Sequence, residues 1–561
     1  AGSDGVSRWW RAARSRPGGV TKMAPRVVTA DEAAQLVATG DTLLIGGSGA
    51  GHSVPDTLIA AIAKRFLSEG EPRDLTTVHP VGLGDRANRG IGHLAHPGLL
   101  KRVVCGTLVD SPPVERMAAA NAIEAYTLPQ GCLSQLTREM AAGRPGLTTH
   151  VGLHTFVDPR HGGGRQSERA TENLVELTTV GGKEYLFFKS FDVDVALVRG
   201  TSADQDGNIT MEHEAVFGEM ISMAQAARRG GGIVIAQVKR VALRGTLPPK
   251  QVKIPGMLVD LIVVDPGQTQ TFFTVHDPAY AGEIKVPLGN IAALPFSVRK
   301  VVARRAALEL YRGAICNLGS GISTGIASLA AEENAIDDVV LTNEQGLIGG
   351  VPATGNEPGA GRNYQAMVDQ PYQFDFYDGG GLDLAFLSFA EVDEACNVNV
   401  SRFGDKIVGP GGFINISQNA KTMIFSGTFT AGGLDITWTD GQTHIRREGA
   451  EKKFVGRVQQ VTYSGALAAQ NGQRTFYITE RAVFRRNEAG RLELIEIAPG
   501  VDLERDILAQ MQFRPDVSPA LKAMDSRIFR PEAMGLAAII AANERPVRSQ
   551  RLNRFMTKAV S

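Results

Sequence analysis

Twice in this chain a short apolar run ends in a cluster of glycines and is followed by an amphipathic helix. Thr42–Ile45 runs into Gly46-Gly47-Ser48-Gly49, and the stretch from Pro55 to Phe66 then carries Leu58, Ile59, Ile62 and Phe66 at helical spacing. The run from Ala314 to Leu318 leads into Gly319-Ser320-Gly321, with a helix expected from Thr324 to Ala331. A strand that feeds a helix through glycine belongs to α/β architecture, and clustered glycine lets a ligand approach the backbone closely. Ahead of the second strand, Ser297 is expected to cap a helix running to Arg312, with Val298, Val301, Val302 and Leu308 on one face and Gly313 ending it.

A second pair of segments points to duplication. Val193-Asp194-Val195-Ala196-Leu197 parallels Leu382-Asp383-Leu384-Ala385-Phe386, and Asn208-Ile209 parallels Asn397-Val398 at the same offset. The apolar runs Gly232–Val238 and Thr422–Ser426 follow in turn. Two related open α/β halves explain this, the first with insertions; chance likeness of two buried strands is the alternative for this pair taken alone. At 561 residues the chain is too long for one core in any case. Between the halves, Leu247–Leu288 holds Pro248, Pro249, Pro255, Pro266, Pro278 and Pro287. That density resists helix and central strand, so a connector laid over the surface is expected. The expected division is a leader at 1–22, a first domain at 23–246, a linker at 247–290, a second domain at 291–545 and a basic polar tail at 546–561, after a last helix within Pro531–Asn543.

Charge narrows the function classes. Lys plus Arg and Asp plus Glu each number 59, so no overall field draws nucleic acid. Residues 1–22 hold five bases and one acid, and the rest carries a formal charge of −4. Met23 reads as the natural start, with the leader an added or upstream-translated segment and an Arg-rich transit peptide as the alternative. Cys105, Cys132, Cys316 and Cys396 are scattered with no CxxC pair, which implies a reducing compartment, and a cytoplasmic location is expected. No run of about 18 apolar residues is present, so no membrane span is expected.

The strongest chemical candidate is Glu344, in Val339-Val340-Leu341-Thr342-Asn343-Glu344-Gln345-Gly346-Leu347-Ile348-Gly349-Gly350. A buried parallel strand reads as a continuous apolar run, and open α/β sheets bind ligands at its carboxyl end. Glu344 falls just past that end among glycines; from periodicity alone, a turn cap or solvated loop carboxylate is the commoner reading. The Gly319-Ser320-Gly321 loop before a helix suits anionic or carbonyl groups of a ligand. Gly47-Ser48-Gly49-Ala50-Gly51 has the same form but lacks GxGxxG spacing and a following acidic residue, which argues against a dinucleotide site. His150, His154, Asp158 and His161 lie close together, but Gly152 and Pro159 argue against a shared helical face, so no metal is expected there.

The segment Thr342–Pro352 resembles the active-site stretch of the acyl-CoA:acetate/3-ketoacid coenzyme A transferases, nearest to the fused single-chain propionate or acetate subgroup. Leu128-Pro129-Gln130-Gly131, the run Gly152–Arg160, Asn317-Leu318-Gly319-Ser320-Gly321 and Gly411-Gly412-Phe413-Ile414 recur in that subgroup, and the likeness runs from Met23 to about Ala541. The resemblance implies two related domains on a sugar-isomerase-like scaffold, an active site between them and a dimer or tetramer. It implies Glu344 as the nucleophile that becomes a glutamyl-CoA thioester, with Gln130 orienting it or merely turning the chain after Pro129. Backbone amides of Gly319, Ser320, Gly321, Ile322 and Ser323, and of Gly409 or Gly411, are the expected donors to CoA and to reaction oxyanions. Lys421 is a candidate for a CoA phosphate or a solvated lysine. Coenzyme A is then a substrate and transient adduct, with no prosthetic group, and the partners are acyl-CoA and short carboxylic acids. An acyl-CoA hydrolase using the same glutamate, or a non-catalytic sensor of CoA or a sugar phosphate on the same scaffold, are the alternatives.

Overall fold

The computed structural model describes residues 25–287, 293–319, 321–353, 355–543, 549 and 551, so the leader, Ser320 and nearly all of the tail lie outside the described residues. The first half is built on strands β1 (Arg26–Val28), β2 (Thr42–Ile45), β3 (Leu75–His79), β4 (Leu100–Cys105), β5 (Glu124–Thr127), β6 (Val195–Arg199), β7 (Ile233–Val238) and β8 (Leu261–Val264). They form one sheet in the order β1-β8-β7-β6-β2-β3-β4-β5, parallel throughout. The second half uses β9 (Ile315–Leu318), β10 (Val340–Thr342), β11 (Leu347–Ile348), β12 (Ala366–Met367), β13 (Leu384–Ser388), β14 (Thr422–Ser426), β15 (Arg474–Ile478), β16 (Ala482–Arg486), β17 (Leu492–Ile497) and β18 (Asp516–Ala523). Their order is β12-β11-β10-β9-β13-β14-β15-β16-β17-β18. The five strands β10-β9-β13-β14-β15 are parallel and match β3-β2-β6-β7-β8 in order. Both faces of these strands are covered, which is why β6 and β14 are buried at every residue and read as unbroken apolar runs.

The duplication extends to hydrogen bonds. β13 and β14 begin 189 residues after β6 and β7. At the same offset, Asn208 donates its backbone N–H to Asp204 Oδ1 and its amide to Oδ2, and Asn397 does the same to Asp393. The tight turn inside each motif needs a left-handed residue: Gly207 supplies it at φ +81° and Cys396 at φ +63°. A cysteine in a glycine's conformation shows how closely the second copy keeps the first copy's backbone.

Two expectations fail. The segment 247–290 is not wholly a surface connector, because β8 lies inside the sheet between β1 and β7. Pro255 and Pro266 bracket it without interrupting it, and a four-residue strand needs no longer proline-free run. The helix after Ser297 is α4 (Val298–Ala307), five residues shorter than expected. Ser297 Oγ donates to the Pro295 carbonyl and does not cap the helix, while Leu308, Glu309 and Leu310 close it with bonds three residues back, the tighter 3-10 geometry.

The helices that matter for the site are α1 (Asp56–Glu69), α2 (Gln130–Ala141), α3 (Met220–Gly230), α5 (Gly325–Glu332), α6 (Gln370–Asp378) and α7 (Phe413–Asn419). Loop 408–412 of the second half lies across the first: Leu108 N–H donates to Val408 O at 2.9 Å, Gly411 N–H to Gly106 O at 2.8 Å, and Gln130 N–H to Gly411 O at 2.8 Å. Gln135 of α2 donates to Asp375 and Asp378 of α6 at 3.1 and 2.9 Å. No helix among the described residues is long and apolar enough to cross a membrane.

Candidate active site

Glu344 sits in the turn that joins β10 to β11, where Thr342 pairs with Ile348. Asn343 clamps the turn from inside: its backbone N–H donates to Leu347 O at 3.1 Å, its Oδ1 accepts from Leu347 N–H at 3.1 Å, and its amide donates to Gly359 O at 2.8 Å. Gly346 has φ +105°, and a side chain there would run into the Val368 carbonyl. Behind the turn lies a buried polar layer. Tyr377 donates to Thr342 Oγ1 at 2.8 Å, and Asn317 donates to the Thr342 carbonyl at 3.4 Å and to Tyr377 at 3.2 Å.

The carboxylate faces a cleft of about 260 Å³ between the halves, lined by Ser48, Asp110 and Gln130 from the first and by Gly319, Glu344 and Gly412 from the second, among others. Gln345 donates to Glu344 Oε1 at 3.3 Å. Among the described residues no Lys or Arg pairs with Glu344. Burial raises its pKa above the ordinary glutamate value, against hydrogen bonds from Gln345 and Asn317 that lower it. The other ionisable groups lining the cleft are Arg86 and Asp110, 3.7 Å apart, and burial pushes Asp110 up to about 6. The Gly412 backbone passes so close that a methyl there would lie 3.4 Å from Glu344 Cγ. Its N–H has no hydrogen-bond acceptor among the described residues.

Gln130 opens α2 and lines the cleft, but its amide donates to Gln370 Oε1 at 3.2 Å and not to Glu344. Gln370 in turn donates to Glu219, which also accepts from Ser134 at 2.5 Å. Burial lifts Glu219 to about 7. Gly409 and Gly411 line the cleft, yet their N–H groups are spent on Ser401 O and Gly106 O, and that of Gly319 on Phe386 O. They supply room, and the unpaired N–H belongs to Gly412. Gly321, Ile322 and Ser323 form a 3-10 turn leading into α5 and do not line the cleft. Ser320 lies outside the described residues.

Lys421 is misplaced by the sequence reading. It precedes β14, at the amino end of the parallel strands, and pairs with Asp383 at 2.7 Å, whereas Glu344 follows the carboxyl end of β10. The cation at the glycine loop is Arg299, whose guanidinium donates to Gly321 O at 2.9 Å and to Thr324. His150 bonds Asn419 at 2.6 Å and Asp158 pairs with Arg160, ordinary polar contacts. Sequence reasoning missed Gly412, although it stood inside a recognised motif, and it missed Gln370, Glu219 and Arg299, which carry no local signal.

A family model described as coenzyme A transferase matches residues 27–265. The acetate CoA-transferase YdiF of Escherichia coli K12 is 45% identical over 518 residues, covering 92% of this chain and 97% of that protein. This chain belongs to the coenzyme A transferase family. The caffeate CoA-transferase of Acetobacterium woodii is also 45% identical, over 524 residues, with 92% and 99% covered. The crystal structure of the Escherichia coli O157:H7 acyl-CoA transferase YdiF as a thioester complex with CoA superposes with a TM-score of 0.87 at 44% identity, covering 92% of this chain and 98% of that one. As a coenzyme A transferase, the chain uses CoA as substrate and transient thioester.

Proposed function

We propose that this transferase moves CoA from a short-chain acyl-CoA to a carboxylate such as acetate or propionate, through a thioester on Glu344. The observation that carries the reading is the Glu344 carboxylate lining the cleft, paired with no Lys or Arg among the described residues and with the Gly412 backbone close to its side chain. A Glu344 oxygen attacks the thioester carbonyl carbon and the C–S bond breaks, giving a mixed anhydride and CoA thiolate. The thiolate attacks the glutamyl carbon and the anhydride C–O bond breaks, releasing the first acid and leaving glutamyl-CoA. The acceptor carboxylate then reverses these steps. No proton is gained or lost overall, because every attacking group is already an anion.

Each tetrahedral intermediate carries an oxyanion, and one well-placed donor is worth roughly 2.7–4 kcal/mol. Gly412 N–H is the donor the geometry offers. Gln130, held by Gln370, offers a side chain at the same cleft. The modest cleft must hold the thioester end of CoA together with the acyl group, which favours small acids.

Intact mass after mixing with propionyl-CoA tests the reading. Expected is a gain of one CoA less one water, mapping to the Glu344 peptide, lost in Glu344→Gln, with turnover that requires a carboxylate acceptor. Acid release at the same rate without acceptor would make the enzyme a hydrolase, and undiminished transfer by Glu344→Gln would remove the glutamate from the mechanism.

A further inference from the structure

Apart from the residues that line the glycine-walled cleft, three potential metal ligands converge from separate parts of the chain. His213 lies three residues after the short strand Ile209–Thr210 of the first half, and His276 and Glu283 lie in the connector that follows β8. Their ligand atoms all fall within 4.8 Å of one another. His213 Nε2 is 3.7 Å from Glu283 Oε1 and His276 Nε2 is 3.5 Å from Glu283 Oε2, with the two rings 4.6 Å apart and tilted by 42°.

These spacings fall within ion-pair range, with His276 and Glu283 exposed. They are too long for good N–H···O hydrogen bonds, which run to about 3.2 Å. They are close to the edge of a tetrahedral zinc site, where ligands ~2.0–2.1 Å from the ion stand ~3.3 Å apart. Among the described residues the Glu283 carboxylate accepts no hydrogen bond, and His213 Nδ1 is buried without a partner. No protein hydrogen bond therefore orients either group toward the shared point.

The backbones that carry the ligands, by contrast, are fixed. The buried Gln270 donates to His213 O at 2.8 Å and accepts from Asp277 N–H at 2.8 Å, tying the residue beside His276 to His213 itself. His213 N–H donates to Thr201 Oγ1 at 3.0 Å, and Glu283 N–H to Pro278 O at 2.9 Å.

We propose that His213, His276 and Glu283 bind a divalent transition-metal ion of the zinc type, with water completing the shell. Two imidazoles and one carboxylate are a borderline donor set that suits zinc and disfavours calcium or magnesium, which take oxygen ligands. The ion staples the connector to the first half. That same connector grips the second half, through Arg362 to Asp277 at 2.8 Å and Tyr280 to Glu357 at 3.2 Å. The metal thus stiffens the seam between the halves and takes no part in acyl transfer.

The test is zinc titration of the chelator-stripped full-length enzyme by calorimetry, with metal content after dialysis and the visible spectrum of the cobalt(II) form. Expected is one zinc per chain, bound at least tenfold more weakly by His276→Ala, His276→Gln and Glu283→Gln. The tetrahedral cobalt absorption should be lost in all three, while transfer at saturating substrate stays within twofold of the parent. Circular dichroism establishes that each variant is folded. A parent enzyme that retains no zinc, or folded variants that bind it as tightly, overturns the proposal.

Discussion

Replacing Gly346 by alanine moves the turn that carries Glu344, by an amount the structure sets. The residue sits at φ +105°, outside the ordinary range of an L-residue, and its new methyl would lie far inside contact distance of the Val368 carbonyl oxygen. The methyl would lie 2.0 Å from that oxygen, so restoring a carbon–oxygen contact of ~3.3 Å requires a retreat of roughly 1.3 Å. Val368 N–H donates back to Gly346 O at 2.9 Å, so the two strands resist separating and the turn itself must give. A misplacement of ~1 Å at a reacting group costs on the order of 10²-fold in rate. Gly355→Ala is the control: it also has positive φ (+78°) but meets nothing within 4 Å. It isolates the left-handed backbone cost of about 1–2 kcal/mol. Steady-state kinetics with thermal unfolding on both variants gives the comparison. Gly346→Ala should lose about 10²-fold in kcat and unfold below the control, which keeps its activity. Equal activity and equal melting temperatures for the two would refute the argument.

Gln370→Leu leaves the Gln130 amide and the buried Glu219 carboxylate each short of a partner. At about 1–3 kcal/mol per unsatisfied group, urea unfolding should show a loss of ~2–6 kcal/mol, and kcat/KM should fall with it; unchanged stability would break the chain drawn from Glu219 to the cleft. Burial raises Glu344, and only its anion attacks, so the acid limb of kcat/KM should lie above the ordinary glutamate value of 4.5. A limb at or below 4.5 contradicts the desolvated setting. Glu219 and Asp378 are each raised to about 7 by burial, from ordinary values of 4.5 and 3.8. The folded chain holds these protons more tightly than the unfolded chain. Their contribution is therefore full below about 4 and is lost as pH rises to about 7. Glu219→Gln should flatten the fall of melting temperature across that window, and an unchanged slope would refute its assignment.

What could be read from the sequence followed chemistry that is local in the chain. Thr42–Ile45 appeared as written, because an apolar run that meets glycines can do little except end a buried strand. Glu344 was legible for the same reason, as a carboxylate just past β10 among glycines that the Val368 and Arg362 carbonyls press against. Strand β8 was missed because proline density was judged over forty residues, while a strand needs only four without one. Gly409 and Gly411 were expected to offer their amides, but a glycine in a sequence does not say where its N–H points; both donate to backbone carbonyls, and it is the Gly412 N–H that has no acceptor among the described residues. Lys421 failed on direction, since a lysine before a strand and one after it lie at opposite ends of the sheet. The partners of Gln130 were out of reach altogether, with Gln370 lying 240 positions away.

Oxygen-18 carried by the acceptor reports most directly on the glutamyl route. If acetate labelled at both oxygens attacks the glutamyl carbon of Glu344, CoA thiolate then breaks the anhydride on the acetyl side and one labelled oxygen stays with the enzyme. Peptide mass analysis after turnover should find the label in Glu344, rising from one atom to two with repeated cycles. An unlabelled Glu344 after many turnovers, with label only in acetyl-CoA and acetate, would contradict the account.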